Sequence, residues 1–210
     1  AGNNGIILHT TDGGENWLLQ SIDTAPNFSD IFFVNATVGW AVGAGSLTYY
    51  PCPPNMCFSE GEYIYKTTDG GTTWANIYFS NEFGTDNPRK IHFFDESNGY
   101  ALAGYRLFRT TNGGSSWVLV TVGTIEINDM FFASPESYWV VGNAGKIFHS
   151  NDGGNNWTEQ SSGSFRNLRS IYFADASRGW AVGDFGTLLY TSNGGTSWAT
   201  GSGDATLGSE

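Results

Sequence analysis

The sequence predicts an all-β fold of repeated four-stranded units, and three recurring phrases predict it. The first phrase ends in tryptophan: "TTDGGENW" at Trp17, "TTDGGTTW" at Trp74, "TTNGGSSW" at Trp117, "SNDGGNNW" at Trp157 and "TSNGGTSW" at Trp198. Successive tryptophans are 57, 43, 40 and 41 residues apart, and a period near 40 marks a repeat architecture. The second phrase is "GWAVG" at 39–43, echoed by "GYALAG" at 99–104, "YWVVG" at 138–142 and "GWAVG" at 179–183. The third lies eight residues upstream: "IFF" from Ile31, "IHFF" from Ile91, "MFF" from Met130 and "IYF" from Ile171. All eight tryptophans fall in the first two phrases, so the aromatic content belongs to the repeat and not to one pocket.

Each element of the unit follows in order. "LRSIYFA" is a compact apolar run suited to a buried inner strand. "RGWAVG" follows a polar turn as the second strand, "GTLLYTS" is the third, "NGG" turns the chain, and "SWATG" is the fourth. Strands divided by Gly, Asn and Asp turns roughly every 8–12 residues are an all-β pattern, and no segment holds a helical period. A repeated four-stranded unit of this length fits the blade of a β-propeller, where radial repetition protects the sheet edges. The expected organisation is one propeller domain over 1–202, followed by a polar tail at 203–210. Within it lie a half blade at 1–22 and four full blades over 23–79, 80–122, 123–162 and 163–202. The half blade follows from "AGNNG" at 1–5, which aligns with "VGNAG" at 141–145, so the first unit holds strands three and four only. Three explanations are open: a piece of a longer propeller, a poor extra strand from the tail, or strands supplied by a second copy, head to tail.

Thr10, Asp12, Gly14 and Trp17 match the Asp-box pattern, Ser/Thr-x-Asp-x-Gly-x-x-Trp, and so do Thr67, Asp69, Gly71 and Trp74, and Ser150, Asp152, Gly154 and Trp157. The copies Thr110, Asn112, Gly114, Trp117 and Thr191, Asn193, Gly195, Trp198 carry asparagine for the aspartate. With "GWAVG", the chain resembles the BNR repeat family of β-propellers, most nearly the blades of Ycf48-like photosystem II assembly factors and related secreted bacterial propellers. The resemblance implies a structural box: a turn between the third and fourth strands, in which Asp or Asn accepts backbone N–H groups and Trp buries its ring. It leaves function open, because Asp-box propellers include sialidases, xyloglucanases, sorting receptors and pure binders.

Composition narrows the partners. A net charge of −11, with 20 acids against nine lysines and arginines, argues against nucleic acid and anionic membranes, which need basic surface. No apolar run approaches the roughly 20 residues of a membrane span. The two cysteines, Cys52 and Cys57, lie in the segment 46–62 that interrupts the period. A disulfide pinning that insertion is the preferred expectation, and it implies an oxidising, extracytoplasmic compartment; a pair of reduced thiols is the alternative. No cofactor or metal is expected, since one carboxylate per box is too few for calcium and no second Cys or His pair has ligand spacing.

Chemistry finds little support. The sialidase Phe-Arg-x-Pro segment is absent, no spacing singles out the two facing carboxylates that glycosidases need, and no Ser-His-Asp or phosphate-loop signature occurs. His9 and His149 read as solvent-facing strand residues, and His92 as a core or channel residue. Binding is therefore the expectation, through two regions. One is the start of the inner strands: Asp30, Arg89 with Lys90, Asp129, and Arg169 with Ser170; the resemblance to Ycf48-like proteins, which use an arginine-rich patch, implies a weak echo of that patch in Arg89, Arg166, Arg169 and Arg178. The other is the insertion, through Tyr49, Tyr50, Met56 and Phe58, since functional loops tend to break a repeat. The chain is expected to be a non-catalytic interaction or scaffold module binding protein, glycan or other copies of itself. A photosystem-assembly chaperone and a glycosidase fragment stand as alternatives.

Overall fold

The computed structural model describes residues 1–22, 27–45, 48–52, 55–59, 62–80 and 87–201, of which 21, 48–52, 55–59, 62 and 78–80 are described in backbone only. The chain folds into two compact units, Ala1–Leu119 and Val120–Glu210. Unit 1 opens with a two-stranded sheet, β1 (Ile6–His9) and β2 (Leu18–Ser21). Next come β3 (Asn27–Phe33) and β4 (Gly39–Ala44), then a hairpin of β5 (Thr48–Cys52) and β6 (Asn55–Ser59). β7 (Glu62–Thr67) and β8 (Ala75–Ser80) complete the sheet β3-β4-β7-β8. A further sheet is β9 (Pro88–Phe93), β10 (Gly99–Ala103), β11 (Arg106–Thr110) and β12 (Val118–Val120). Unit 2 holds β13 (Ile127–Phe132), β14 (Tyr138–Gly142), β15 (Ile147–Ser150) and β16 (Thr158–Gln160), then β17 (Leu168–Phe173), β18 (Gly179–Gly183), β19 (Leu188–Thr191) and β20 (Ala199–Thr200).

Every four-stranded sheet is an antiparallel meander, and the fold is a β-propeller of four-stranded blades with one partial blade, β1–β2. The insertion occupies the turn between the second and third strands of its blade. The side chains of Tyr49, Tyr50, Met56, Phe58, Cys52 and Cys57 lie outside the described residues, as do residues 203–210. Among the described residues no helix is long and apolar enough to cross a membrane.

The repeated phrases have packing reasons. The first glycine of "GWAVG" lies under the phenylalanine of the neighbouring inner strand: a Cβ on Gly39, Gly99 or Gly179 would stand 2.6–2.7 Å from the rings of Phe33, Phe93 and Phe173. Where "YWVVG" puts Tyr138 at that position, Phe132 meets the Tyr138 ring edge-on with centroids 4.8 Å apart. The last glycine meets the inner strand's backbone, since a Cβ on Gly43 would stand 2.1 Å from the Asn27 carbonyl oxygen. Between these glycines, the central tryptophan joins one blade to the next. Trp40 is fully buried and stacks on Phe93 at 3.6 Å and 2°, and its Nε1 donates to the Gly113 carbonyl at 2.9 Å. In unit 2, Trp139 stacks on Phe173 at 4.0 Å. Each stack anchors an apolar cluster, Trp40 with Val42, Ile64, Ile91 and Phe108, and Trp139 with Val141, Ile147, Ile171 and Leu189.

One feature is absent from the strand pattern of the sequence. Every inner strand skips one residue in its pairing with the second strand. Phe28 pairs with Gly43 and Asp30 with Val42, so Ser29 is passed over. Arg89, Asn128 and Arg169 are passed over in the same way. Such bulges bend the strand and re-aim the extra side chain. Here they turn residues 89 and 169 toward the rim formed by the start of the inner strand and the turn between strands two and three.

Candidate functional site

The Asp box is a self-contained knot of hydrogen bonds. Thr10 Oγ1 donates to Asp12 Oδ1 at 2.7 Å and accepts from Gly14 N at 2.9 Å, while Asp12 Oδ1 and Oδ2 accept from Asn16 N and Asn16 Nδ2. Asn112 reproduces the core of this pattern without charge: its Oδ1 accepts from Thr110 Oγ1 and Ser116 N, and its Nδ2 donates to Ser116 Oγ. The tryptophans close the turn by donating from Nε1, Trp117 and Trp157 to the carbonyls of Gly114 and Gly154, and Trp74 and Trp198 to Gln20 and Gln160 of the preceding blade. Their burial is uneven. Trp117 is buried, but Trp17 is exposed, contrary to the expectation for the family box.

These bonds favour the ionised carboxylate. Bonds from Thr73 hold Asp69 down to about 2, and bonds from Asn156 hold Asp152 down to about 2, both from an ordinary 3.8. A lowered folded-state value contributes stability that is present above the unfolded value and lost as pH falls through the folded one. Thermal stability should therefore decline from about pH 4 toward pH 2. The double change Asp69→Asn with Asp152→Asn should flatten that decline while leaving neutral-pH melting nearly unchanged, because Asn112 and Asn193 already serve in this role. Melting temperature against pH for both proteins checks this.

The expected binding residues divide in two. Asp30 and Asp129 act as braces between blades. Asp30 accepts from Ile31 N with Oδ1 and from Ile91 N of the next blade with Oδ2, both at 2.9 Å, and burial raises its pKa. Asp129 is buried and accepts from Met130 N at 2.8 Å, Ser170 Oγ at 2.7 Å and Ile171 N at 3.0 Å. Lys90 pairs with Leu102 in the ladder. Arg89 and Arg169, in contrast, occupy the bulge and bind the adjoining turn of their own blades. Arg89 Nε donates to the Gly104 carbonyl at 2.7 Å, and Arg169 grips Asp184 with Nε and Nη2 at 2.8 and 2.9 Å. The Arg169 bonds hold Asp184 below its usual carboxylate range.

Around Arg169 the last blade carries a set of side chains that sequence reasoning missed. Phe165 and Phe185 are almost fully exposed, and the Arg166 guanidinium lies over the Phe185 ring at 4.5 Å. Phe185 sits at φ +57° in the turn Asp184–Gly186, and Asn4 and Ala144 hold the same left-handed conformation at the equivalent position. The backbone geometry is therefore a property of the repeat, and the large apolar side chain is particular to this blade. Arg178 does not join the set. It pairs with Asp175 in the turn between β17 and β18, at the opposite end of the strands. The histidines are also drawn inward. His149 is stacked on Trp139 at 4.2 Å and bonded to Ser137 Oγ at 3.1 Å, with burial lowering its pKa. It is half-buried and covers Trp139 much as Lys66 covers Trp40. His92 lies between Phe32 and Phe94, where burial brings it down to about 4.

Known proteins share this pattern in part. A family model described as photosynthesis system II assembly factor YCF48 matches residues 118–192. A photosystem II assembly lipoprotein Ycf48 from Synechococcus sp. (strain CC9902) is 33% identical over 78 residues, 34% of this chain and 23% of that protein's length. The YCF48 structure from Cyanidioschyzon merolae aligns with a TM-score of 0.60 at 16% identity, covering 95% of this chain and 79% of that one. The Niastella koreensis GH74 enzyme aligns with a TM-score of 0.66 at 17% identity, covering 94% of this chain and 36% of that one. At such identities the structural likenesses show the fold alone. The chain is a β-propeller with BNR-type repeats, and its residues 118–192 are similar to the Ycf48 assembly-factor model.

Proposed function

We propose that this protein is a non-catalytic, extracytoplasmic propeller that assists photosystem II assembly by holding a polypeptide partner at the rim of its blades. The similarity of residues 118–192 to the assembly-factor model carries this reading, because the rim residues Phe165, Arg166, Arg169 and Phe185 all lie within that stretch. Exposed aromatics beside arginine are the side chains that anchor protein interfaces. On a chain of net charge −11, Arg166 gives this rim a local affinity for carboxylate-bearing segments, while Arg169 is held by Asp184. The lipoprotein description of the cyanobacterial relative supports an extracytoplasmic location, in which a Cys52–Cys57 disulfide would persist. A self-assembling scaffold comes first on sequence alone, and the comparisons support the assembly-factor reading over it. Likeness to the GH74 enzyme speaks to fold and assigns no catalytic residue.

Phe185→Asn separates binding from folding. Relief of the left-handed phenylalanine is worth about 1–2 kcal/mol, and loss of the exposed contact with Arg166 costs about 0.5–1 kcal/mol. The variant should melt no lower than the parent. Immobilised parent protein should retain photosystem II reaction-centre polypeptides from detergent-solubilised thylakoids, identified by mass spectrometry, and Phe185→Asn should retain at least several-fold less. Equal retention by both would remove the rim from the reading. Release of reducing sugar from xyloglucan by the parent would replace it with an enzymatic one.

A further inference from the structure

The tryptophans that join one sheet to the next are covered on their second side by a residue of the third strand. Trp40 lies between Phe93, stacked at 3.6 Å, and the Lys66 ammonium, 4.8 Å from its centroid. Trp139 lies between Phe173, stacked at 4.0 Å, and the His149 imidazole, stacked at 4.2 Å and 16°. Lys66 and His149 hold the same repeat position, each paired with its tryptophan in the ladder, and Arg109 and Tyr190 hold it opposite Tyr100 and Trp180. Histidine is the one occupant of this position whose charge ordinarily changes between pH 5 and 8.

The two covers are fastened differently. Lys66 reaches past the ring, and its Nζ donates to the Glu96 carbonyl in the first turn of the next sheet at 3.4 Å; a long stem lets an ammonium leave an apolar surface. The shorter imidazole turns back to its own sheet, where Nε2 bonds Ser137 Oγ at 3.1 Å. Charged groups on the elements around it are engaged with one another: Lys146 pairs with Glu159, Arg178 with Asp175 and Arg169 with Asp184, while Asp152 is held in its box. Glu136 lies in the turn that carries Ser137, and Tyr172 is the phenol on the inner strand β17. Burial, with none of these charges contributing, lowers the pKa of His149.

We propose that His149 is a protonation-sensitive fastening of this joint: the neutral ring, stacked on Trp139 and bonded to Ser137, holds the sheet β13-β14-β15-β16 against β17-β18-β19-β20, and gaining a proton loosens the two. Among the described residues His149 makes no ion pair, so the proton puts an uncompensated charge into a half-buried site. Attraction of the indole face for a cation offsets part of that cost, so the joint loosens by degrees. The sign follows from linkage. A histidine held below its unfolded value gives stability that is full above about pH 6.5 and declines as pH falls from there toward the folded value. That window lies above the one in which the Asp boxes titrate, and an ammonium in the same place has no such step. This holds whatever the rim binds.

Hydrogen exchange followed residue by residue by NMR between pH 7 and pH 5, corrected for the intrinsic rate, tests this on the parent and on His149→Tyr, which borrows the occupant of position 190. The N–H groups of Ile171 and Ala144 report on the joint, because they bond across it to Asp129 and Asn167. In the parent their opening should increase at least about threefold from pH 7 to pH 5, and His149→Tyr should lose that rise. His92 is common to both proteins, so its titration cancels from the comparison. The His149 imidazole, assigned by its absence from the variant's spectrum, should titrate below about 6.5. Should His149→Tyr fold poorly, His149→Lys, with the cover found on Trp40, takes its place in the same comparison. An imidazole that titrates at or above the ordinary value overturns the proposal, as does opening that depends on pH equally in parent and variant.

Discussion

Trp40→Ala should lower the stability of unit 1 by about 3–5 kcal/mol, the range for deleting a large aromatic from a core. The magnitude follows from what the ring touches. It lies parallel to Phe93, carries the Lys66 ammonium at 4.8 Å from its centroid, and satisfies the Gly113 carbonyl. Alanine leaves a void in the joint between two sheets and removes a buried hydrogen bond. Urea unfolding followed by circular dichroism measures the loss. A sharper comparison uses phenylalanine at both equivalent tryptophans. Trp40→Phe keeps a stacking ring but removes the donor to Gly113, at about 1–2 kcal/mol. Trp139 Nε1 is buried with no hydrogen-bond partner among the described residues, so Trp139→Phe deletes an unsatisfied donor and should cost less than Trp40→Phe. If the two changes cost the same, the bond to Gly113 contributes nothing measurable.

Asp129→Ala should destabilise unit 2 by about 3 kcal/mol, because it orphans two backbone N–H groups and a hydroxyl. Its carboxylate reaches 42 residues along the chain to Ile171 N, so its removal strips the brace between two sheets as well as a local turn. Asp129→Asn retains one acceptor oxygen and should fall between parent and alanine in the same unfolding experiment. Asp30→Ala, which removes the matching brace to Ile91 in unit 1, should be milder. Asp30 accepts from two backbone N–H groups and no hydroxyl, so fewer donors are orphaned.

What the sequence disclosed was whatever repeats with fixed spacing. The tryptophan and "GWAVG" periods identify the blades because a ring over a glycine and a stack between sheets demand the same residue types each time. The partial blade was legible for the same reason, from the alignment of "AGNNG" with "VGNAG". The roles of Asp30 and Asp129 were not legible, since nothing local announces a carboxylate whose partner lies in the following blade. The bulge was hidden because a skipped residue leaves the apolar pattern on either side unchanged. Phe165 and Phe185 escaped notice because exposure is set by neighbours, and both sit in short stretches that read as ordinary turns. His149 was partly legible: its repeat position also holds Lys66, Arg109 and Tyr190, which suggested solvent, and its half-buried ring also stacks on Trp139.

The skipped residue in each inner strand separates inheritance of the scaffold from invention at the rim. Residues 29, 89, 128 and 169 are serine, arginine, asparagine and arginine, while the positions two places later remain isoleucine or methionine throughout. Arg89 and Arg169 bond the adjoining turn of their own blades, whereas Asn128 is buried and donates to Asn143 Oδ1 and the Leu168 carbonyl of the next inner strand. The same skipped position thus serves as rim chemistry in two blades and as a brace between sheets in a third, within an otherwise constant frame.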